Sequence, residues 1–173
     1  MKRIFLIGYM GSGKSTLGRA FAKATGLAFV DLDSFIEERM HSTVRELFAE
    51  RGEDSFRKLE MKILHEVSEF EDVVIACGGG TPCFYDNMDF MNSCGTTVFL
   101  DVSIERLFER LKVGRVTRPL LANKTDEELV QFIAEGVAGR VPFYSKAQLR
   151  IDGSKLESVA QIDGTVEERR MGM

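Results

Sequence analysis

The chain has 173 residues, of which 44% are hydrophobic and 29% charged, and its formal net charge is −4. This composition fits one domain with one hydrophobic core, and no basic face or tail indicates nucleic-acid binding. No apolar stretch approaches the roughly 20 residues that a membrane-spanning helix needs. Glycines and Lys14 interrupt the first apolar run too early for a signal peptide, so we expect a cytoplasmic protein.

Strands and helices alternate in the first half of the chain. The apolar run Ile4–Ile7 is typical of a buried strand, and it leads through a glycine-rich turn into a helix predicted over Lys14–Thr25. A second strand is predicted at Ala28–Leu32. Helical periodicity then predicts three helices in succession, at Ser34–Met40, Val44–Arg51 and Glu53–Phe70.

The second half continues this alternation. Three more strands are predicted, at Asp72–Ala76, Thr97–Leu100 and Gln148–Ile151. Three helices are predicted, from Ser103 to Leu111, from Thr125 to Ala138 and from Leu156 to Arg169. Five strands with crossover helices predict an α/β fold with a doubly wound, mostly parallel sheet, in which ligands bind beyond the carboxyl ends of the strands.

The turn after the first strand carries a phosphate-binding motif. Gly8-x-x-x-x-Gly13-Lys14-Ser15 matches the phosphate loop, with a strand before it and a helix after it. Glycines let backbone N–H groups converge on phosphate oxygens, Lys14 reaches the β- and γ-phosphates, and the Ser15 hydroxyl is a ligand for Mg²⁺. We therefore expect a nucleoside triphosphate with Mg²⁺, bound by Gly11, Ser12, Gly13, Lys14, Ser15 and Thr16.

Two carboxylates, Asp31 and Asp33, close the second strand, which we expect to lie next to the phosphate loop. One of them would hold a water on Mg²⁺, and the other would accept a hydrogen bond from the hydroxyl of an acceptor. The alternative is that Asp33, alone or with Ser34, only caps the helix that follows.

Arg57 lies between Glu53 and Glu60 on the long predicted helix. One interpretation is a surface ladder of ion pairs. The other is a guanidinium that Glu60 orients so that it binds a substrate carboxylate through two hydrogen bonds. Arg140 has a similar ambiguity, since it would either end a helix as a favourable cation or point into the crevice.

Two glycine-containing segments complete the expected site. Gly78, Gly79 and Gly80 follow a buried strand, which indicates close backbone approach to another group. The segment Val113–Lys124 lacks periodicity and carries Arg115 and Arg118. It suits a flap that closes over phosphate and excludes water, although Arg115 would equally suit a solvated basic loop.

The three cysteines, Cys77, Cys83 and Cys94, have spacings that fit no zinc site. Cys77 ends an apolar run and is therefore interpreted as a small buried hydrophobic residue. We expect no catalytic or metal-binding role for any of the three.

Taken together, six motifs resemble the shikimate kinase family in order and spacing, over about residues 3–151. The motifs are Gly8-Tyr-Met-Gly-Ser-Gly-Lys-Ser15, Asp31-Leu-Asp33, Gly52-Glu-Asp-Ser-Phe-Arg57-Lys-Leu-Glu60, Gly78-Gly79-Gly80, Arg118-Pro-Leu-Leu121 and Arg140-Val-Pro-Phe-Tyr144. The resemblance implies a three-layer P-loop NTPase fold of the nucleoside monophosphate kinase-like type. It implies ATP-dependent phosphorylation of the 3-hydroxyl of shikimate, by a single domain that acts as a monomer.

The resemblance also assigns roles on the acceptor side. Asp33 would hold the acceptor hydroxyl, and Arg57 and Arg140 would bind the shikimate carboxylate. The backbone of Gly78–Gly80 would pack against the ring. The substrate-binding segment would span about residues 33–61.

On the nucleotide side, the resemblance makes Lys14 and Arg118 catalytic together with Asp33. Arg118 would reach substrate and phosphate from a lid at about residues 113–124, and Arg110 would stack on adenine. Asp31 would support Mg²⁺ through water.

Two other functions are weighed against this one. Asn123-Lys124-Thr125-Asp126 is similar to the guanine-reading motif of GTPase switches, but it follows a poor strand, and Thr125 is equally explained as a helix cap. Another kinase with a small acceptor, such as gluconate or a nucleoside monophosphate, is the nearer alternative. No nucleic-acid or membrane partner is expected.

Overall fold

The computed structural model describes residues 2–115, 118 and 120–155, and the helix predicted after Leu156 lies outside this part of the chain. Within it, five strands form one sheet: β1 (Arg3–Ile7), β2 (Ala28–Asp31), β3 (Val73–Ala76), β4 (Thr96–Asp101) and β5 (Leu149–Asp152). The α-helices of the same part are α1 (Lys14–Thr25), α2 (Leu32–Met40), α3 (Val44–Val67), α4 (Asn87–Cys94), α5 (Ile104–Val113) and α6 (Asp126–Tyr144).

The sheet is parallel throughout, with the strand order β2-β3-β1-β4-β5. Central strand β1 pairs with β3 on one side and β4 on the other, so Phe5 lies between Ile75 and Thr97. The whole of β3 is buried, as expected for a parallel strand covered on both faces. The order reverses at β1, and this places the ligand crevice at the carboxyl end of β1, where the phosphate loop begins.

Gly52 interrupts α3 at the point where the sequence predicted a break between two helices. Its φ of 76° and ψ of 167° are not helical, and they separate the helices predicted at Val44–Arg51 and from Glu53 onward. The capping box of Thr43 and Glu46 is present, which fixes where α3 begins.

Two helices differ from the sequence-based expectation. Helix α4 was not predicted, because its eight residues are fewer than the window of about 11–18 residues in which helical periodicity is recognised. Helix α6 continues past Ala138 to Tyr144, with Pro142 in its last turn. The Tyr144 side chain is buried in the core, and this contact stabilises a final turn that local propensity does not favour.

The guanine-reading interpretation of residues 123–126 is wrong, since this stretch lies between turns and the start of α6. The Thr125 hydroxyl accepts from the backbone N–H of Glu128 as a helix cap. In this structure, Arg115 Nη1 donates to Asp126 Oδ1 at 2.8 Å and to the carbonyl of Lys124 at 3.1 Å, and the side chain is partly exposed. Among the described residues, the structure contains no helix that meets both the length and the apolarity needed to cross a bilayer.

Cys77 matches the interpretation of a small buried residue. Cys77 is buried, its Sγ lies 3.7 Å from Met91 Sδ, and burial raises the pKa of its thiol. Cys83 and Cys94 are free thiols as well. In the part of the chain that the structure describes, three or more His, Cys, Asp or Glu side chains nowhere gather in a way that could hold a metal.

Candidate active site

The phosphate loop connects β1 to the first turn of α1. Gly11 and Gly13 have φ of 78° and 91°, values that glycine adopts without strain. Gly13 caps α1 without a side chain, so the open helix N-terminus faces the crevice. Lys14 folds back over the loop, and its Nζ donates to the carbonyls of Gly8 at 2.8 Å and Tyr9 at 3.0 Å.

Burial lowers the pKa of Lys14 to about 8, although the nearby Asp33 carboxylate opposes the shift. The lysine therefore carries its charge at neutral pH. A cavity of about 450 Å³ opens beside it. The cavity is lined by Gly11, Ser12, Gly13, Lys14, Ser15, Thr16, Leu17, Leu100, Arg110 and Arg118, which includes every phosphate-binding residue predicted from the sequence.

Ser15 contacts Asp31 directly. The Ser15 hydroxyl donates to Asp31 Oδ2 at 2.5 Å, while Asp31 Oδ1 accepts from the backbone N–H of Ser34 and caps α2. The capping role proposed as an alternative for Asp33 thus belongs to Asp31, and Asp33 lies within the first turn of α2.

The expectation that the second strand lies next to the phosphate loop is wrong in one respect. Strand β3 separates β2 from β1 in the sheet. Helix α1 leaves the loop and crosses β3 towards β2, so that Ser15 in its first turn meets the end of β2. The proximity comes from the helix rather than from the neighbouring strand.

Three of the side chains predicted to bind the acceptor lie against the three consecutive glycines. A Cβ on Gly78 would be 3.0 Å from Asp33 Oδ1, and one on Gly79 would be 2.9 Å from Arg140 Nη1. A Cβ on Gly80 would be only 2.5 Å from Arg57 Nη2. Real Cβ atoms do not approach other atoms so closely, so glycine at 79 and 80 is what allows both guanidinium groups to occupy their positions.

Asp33 has an unusual electrostatic setting. The pKa of its carboxyl is raised to about 6, mainly by burial and also by the neighbouring carboxylates of Glu60 and Asp31, while Lys14 opposes the shift. A carboxyl with a pKa near 6 is ionised at neutral pH and is still basic enough to accept a hydrogen bond strongly from a hydroxyl.

Arg57 is buried, with 9% of its surface exposed, and its Nη1 donates to Glu60 Oε1 at 2.8 Å. Its guanidinium lies over the Phe84 ring at 4.2 Å. The interpretation of Arg57 as part of a surface ladder of ion pairs is therefore wrong. Of its two glutamate partners, only Glu53, whose Oε1 lies 3.7 Å from Arg57 Nε, is exposed. Within the described part of the chain, the buried Nε has no hydrogen-bond partner.

Arg140 points into the crevice from the interior of α6, rather than ending a helix. Its guanidinium lies 5.1 Å from the centre of the Tyr9 ring, which belongs to the phosphate loop. Tyr144, one turn further along α6, donates to the carbonyl of Gly79 at 2.6 Å. Helix α6 thereby joins the phosphate loop to the glycine triplet.

Arg110 binds the phosphate loop from the other side. Its Nη1 donates to the carbonyls of Gly11 and Ser12 at 3.2 and 3.3 Å, and its Nη2 donates to Gly153 at 3.3 Å. Arg118 is exposed at the rim of the cavity.

The comparison with known protein families agrees with this geometry, since the family model described as shikimate kinase matches residues 10–169. The chain belongs to the shikimate kinase family. A shikimate kinase of Phocaeicola vulgatus is 62% identical over 170 residues, covering 98% of this chain and 97% of that protein.

Solved shikimate kinases have the same fold. The crystal structure of the enzyme from Bacteroides thetaiotaomicron has a TM-score of 0.93 at 54% identity and covers 98% of this chain and 97% of its own. A shikimate kinase from Acinetobacter baumannii, solved in complex with shikimate, has a TM-score of 0.85 at 28% identity, with coverage of 99% and 94%. The five-stranded parallel sheet with flanking helices is therefore the P-loop fold of shikimate kinases.

Sequence reasoning missed several residues that shape the candidate site. Tyr9 is 3% exposed and packs against α6, and Gly136 provides the space for its ring. Thr81 is fully buried and donates to Glu60. The glycine at 136 within a helical pattern was the available signal, because glycine in a helix often marks a close contact.

The donor set at Ser15 and Asp31 fits Mg²⁺. This ion prefers oxygen ligands and is usually bound by one or two carboxylates, several waters and substrate phosphates. A hydroxyl and a carboxylate in contact at the edge of a phosphate-binding cavity provide oxygen atoms of this kind.

Proposed function

We propose that this protein transfers the γ-phosphoryl group of ATP to the 3-hydroxyl of shikimate, giving shikimate 3-phosphate and ADP. One observation carries the proposal: Asp33, Arg140 and Arg57 lie against three consecutive glycines. The crevice therefore offers two cations and one carboxylate beside the phosphate loop. Shikimate has the complementary groups, a carboxylate at one end of a ring and hydroxyls at the other.

The two arginines are proposed to bind the acceptor carboxylate. Charge-assisted hydrogen bonds from guanidinium groups suit a carboxylate, especially where both nitrogens of one fork are used. Glu60 and Phe84 hold Arg57 on two sides, so its orientation requires little reorganisation when the acceptor binds. The proposed acceptor-binding segment is about residues 33–61, together with the glycine triplet and α6.

Asp33 is proposed to accept the hydrogen bond of the attacking hydroxyl. Its raised pKa, to about 6, leaves it ionised at neutral pH and makes it a stronger acceptor than an ordinary aspartate. Because the transition state of phosphoryl transfer is loose, orientation of the hydroxyl contributes more than full proton removal.

Lys14, Arg118 and the open N-terminus of α1 are proposed to offset the negative charge of the transferred phosphoryl group. Lys14 now donates to two loop carbonyls, and the β- and γ-phosphates of ATP would take over as its partners. Arg118 would reach the phosphates from a lid at about residues 113–124, and Arg110 would stack on the adenine.

Ser15 and, through water, Asp31 are proposed to hold the Mg²⁺ that accompanies ATP. When bound, the ion offsets charge on the phosphate oxygens. We further propose that residues 1–173 form a single domain that acts as a cytoplasmic monomer.

The test is ADP release from ATP with each of three acceptors: shikimate, gluconate and a nucleoside monophosphate. Release that depends on shikimate alone, with phosphate on the 3-oxygen by NMR, supports the proposal. Turnover with gluconate or a nucleotide, or slow GTP hydrolysis without any acceptor, would replace it with one of the two alternative functions.

A further inference from the structure

Thr81 is a buried hydroxyl at the edge of the proposed acceptor site. It follows directly after the glycine triplet, its side chain is fully buried, and its Oγ1 donates to Glu60 Oε2 at 2.7 Å. Glu60 is itself only 1% exposed. A hydrogen bond to a buried carboxylate is among the stronger ones in proteins, because both groups are removed from water.

The two oxygens of Glu60 have different partners. Oε1 accepts from Arg57 Nη1 at 2.8 Å, and Oε2 accepts from Thr81 Oγ1 at 2.7 Å. With one partner on each oxygen, the carboxylate cannot rotate without breaking a hydrogen bond. The direction of the Arg57 fork is thus set by a group at the opposite side of the carboxylate.

Thr81 is itself held by the backbone around it. Its N–H donates to the carbonyl of Gly78 at 3.1 Å, and its own carbonyl accepts from Asn87 Nδ2 at 2.9 Å. Asn87 is fully buried at the start of α4. The hydroxyl therefore has a fixed position relative to both the end of β3 and α4.

We propose that Thr81 is a positioning residue for the acceptor: its hydroxyl fixes the Glu60 carboxylate, which aims Arg57 at the carboxylate of the acceptor. This inference rests on the proposed function, since it requires that Arg57 binds that carboxylate. Thr81 touches neither ATP nor the reacting oxygen in this account. Its removal should weaken acceptor binding and leave the nucleotide side unaffected.

The test is a series of three variants with steady-state kinetics. Thr81→Val keeps the volume and removes the hydroxyl, Thr81→Ala removes both, and Thr81→Ser keeps the hydroxyl. We expect KM for shikimate to rise by about tenfold in the valine and alanine variants and to stay near the wild-type value in the serine variant. KM for ATP should change by less than about twofold in all three.

A second comparison tells whether the Thr81 hydroxyl positions Arg57 or only contributes to packing. In an Arg57→Gln background, the site no longer has the guanidinium that would bind the acceptor carboxylate. In this background, Thr81→Val should add little to the KM for shikimate. An acceptor analogue with a neutral carboxamide should likewise lose little affinity in the Thr81→Val enzyme.

Three results would overturn the inference: an unchanged KM for shikimate in both variants without the hydroxyl, equal rises in the KM of both substrates, or a full additional loss in the Arg57→Gln background. If Arg57→Gln alone leaves the KM for shikimate unchanged, the proposal that Arg57 binds the acceptor carboxylate is wrong as well. A rise with Arg57→Gln but not with Thr81→Val removes only the role of Thr81.

Discussion

The guanidinium of Arg57 and the carboxylate of Glu60 form an ion pair inside the protein, one turn apart on α3, with 2.8 Å between Nη1 and Oε1. A buried pair of this kind contributes little net stability, because taking two charges out of water offsets their attraction. Its position beside the glycine triplet therefore suits a binding role better than a structural one.

The first prediction concerns this pair. Removing Arg57 entirely would leave Glu60 buried without its cation, so Arg57→Gln, which keeps a donor, is the sharper variant. We expect KM for shikimate to rise by about tenfold to a hundredfold, with little change in KM for ATP. Arg39→Gln is the matched control, since Arg39 also pairs with a glutamate, Glu66, but is half-exposed and away from the crevice. Equal losses for both substrates in Arg57→Gln would contradict the role of Arg57.

Much of the fold was predictable because parallel strands and amphipathic helices are local signals. All five strands were found within about two residues, and Gly52 correctly separated two helices. The strand order was harder to infer, because Asp31 meets Ser15 through the path of α1 and not through neighbouring strands. The glycine-rich loop identified the nucleotide side since its chemistry lies in consecutive residues.

The acceptor side was less predictable from local pattern. Whether Arg57 faces water or the core depends on Phe84 and Gly80, which are distant from it in sequence. Thr81 and Tyr9 act through contacts with α3 and α6, and no spacing rule connects these segments. Residues that acquire a role only by tertiary contact give no periodic signal.

The second prediction concerns the acid limb of the pH profile. Asp33 has a pKa near 6, and its protonated form cannot accept a hydrogen bond from the attacking hydroxyl in the same way. We expect kcat/KM for shikimate to fall tenfold per pH unit below about pH 6, and Asp33→Asn to lose most of its turnover at every pH. A profile that stays flat down to pH 5 would argue against Asp33 as the hydroxyl acceptor.

The third prediction is that Asp33 reduces stability at neutral pH. Its folded-state pKa is raised from 3.8 to about 6, so between these values the folded state keeps a proton that the unfolded chain has released. Stability therefore falls as pH rises through this window and stays lower above it. Asp33→Asn should raise the free energy of unfolding at pH 7 by about 1–2 kcal/mol, measured by urea denaturation without ligands. A destabilised variant would show that the carboxylate is held favourably instead.

The fourth prediction concerns Lys14. Because burial lowers its pKa to about 8, the free enzyme should lose the charge on Lys14 as pH rises past this value. We expect kcat/KM for ATP to fall above about pH 8. Lys14→Arg, which stays charged, should be less active but lack this alkaline limb. If the limb persists in Lys14→Arg, another group is responsible for it.

The fifth prediction uses two glycines of α6 as a matched pair. A Cβ on Gly136 would lie 2.5 Å from the Tyr9 hydroxyl, whereas one on Gly139 would meet nothing within 4 Å. Gly139→Ala should stabilise the protein by about 0.5–1 kcal/mol through helix propensity alone. Gly136→Ala should instead displace Tyr9 from its position against Arg140 and raise the KM of both substrates. Thermal unfolding and steady-state kinetics of the two variants check this, and equal behaviour would contradict the proposed link between α6 and the phosphate loop.

The most direct test of the whole account is a crystal structure with shikimate and a non-hydrolysable ATP analogue bound together. We expect the carboxylate of shikimate to accept hydrogen bonds from Arg57 and Arg140, while its 3-hydroxyl lies within hydrogen-bond distance of Asp33 and faces the γ-phosphate. A carboxylate that points to solvent, or a 3-hydroxyl far from Asp33, would contradict it.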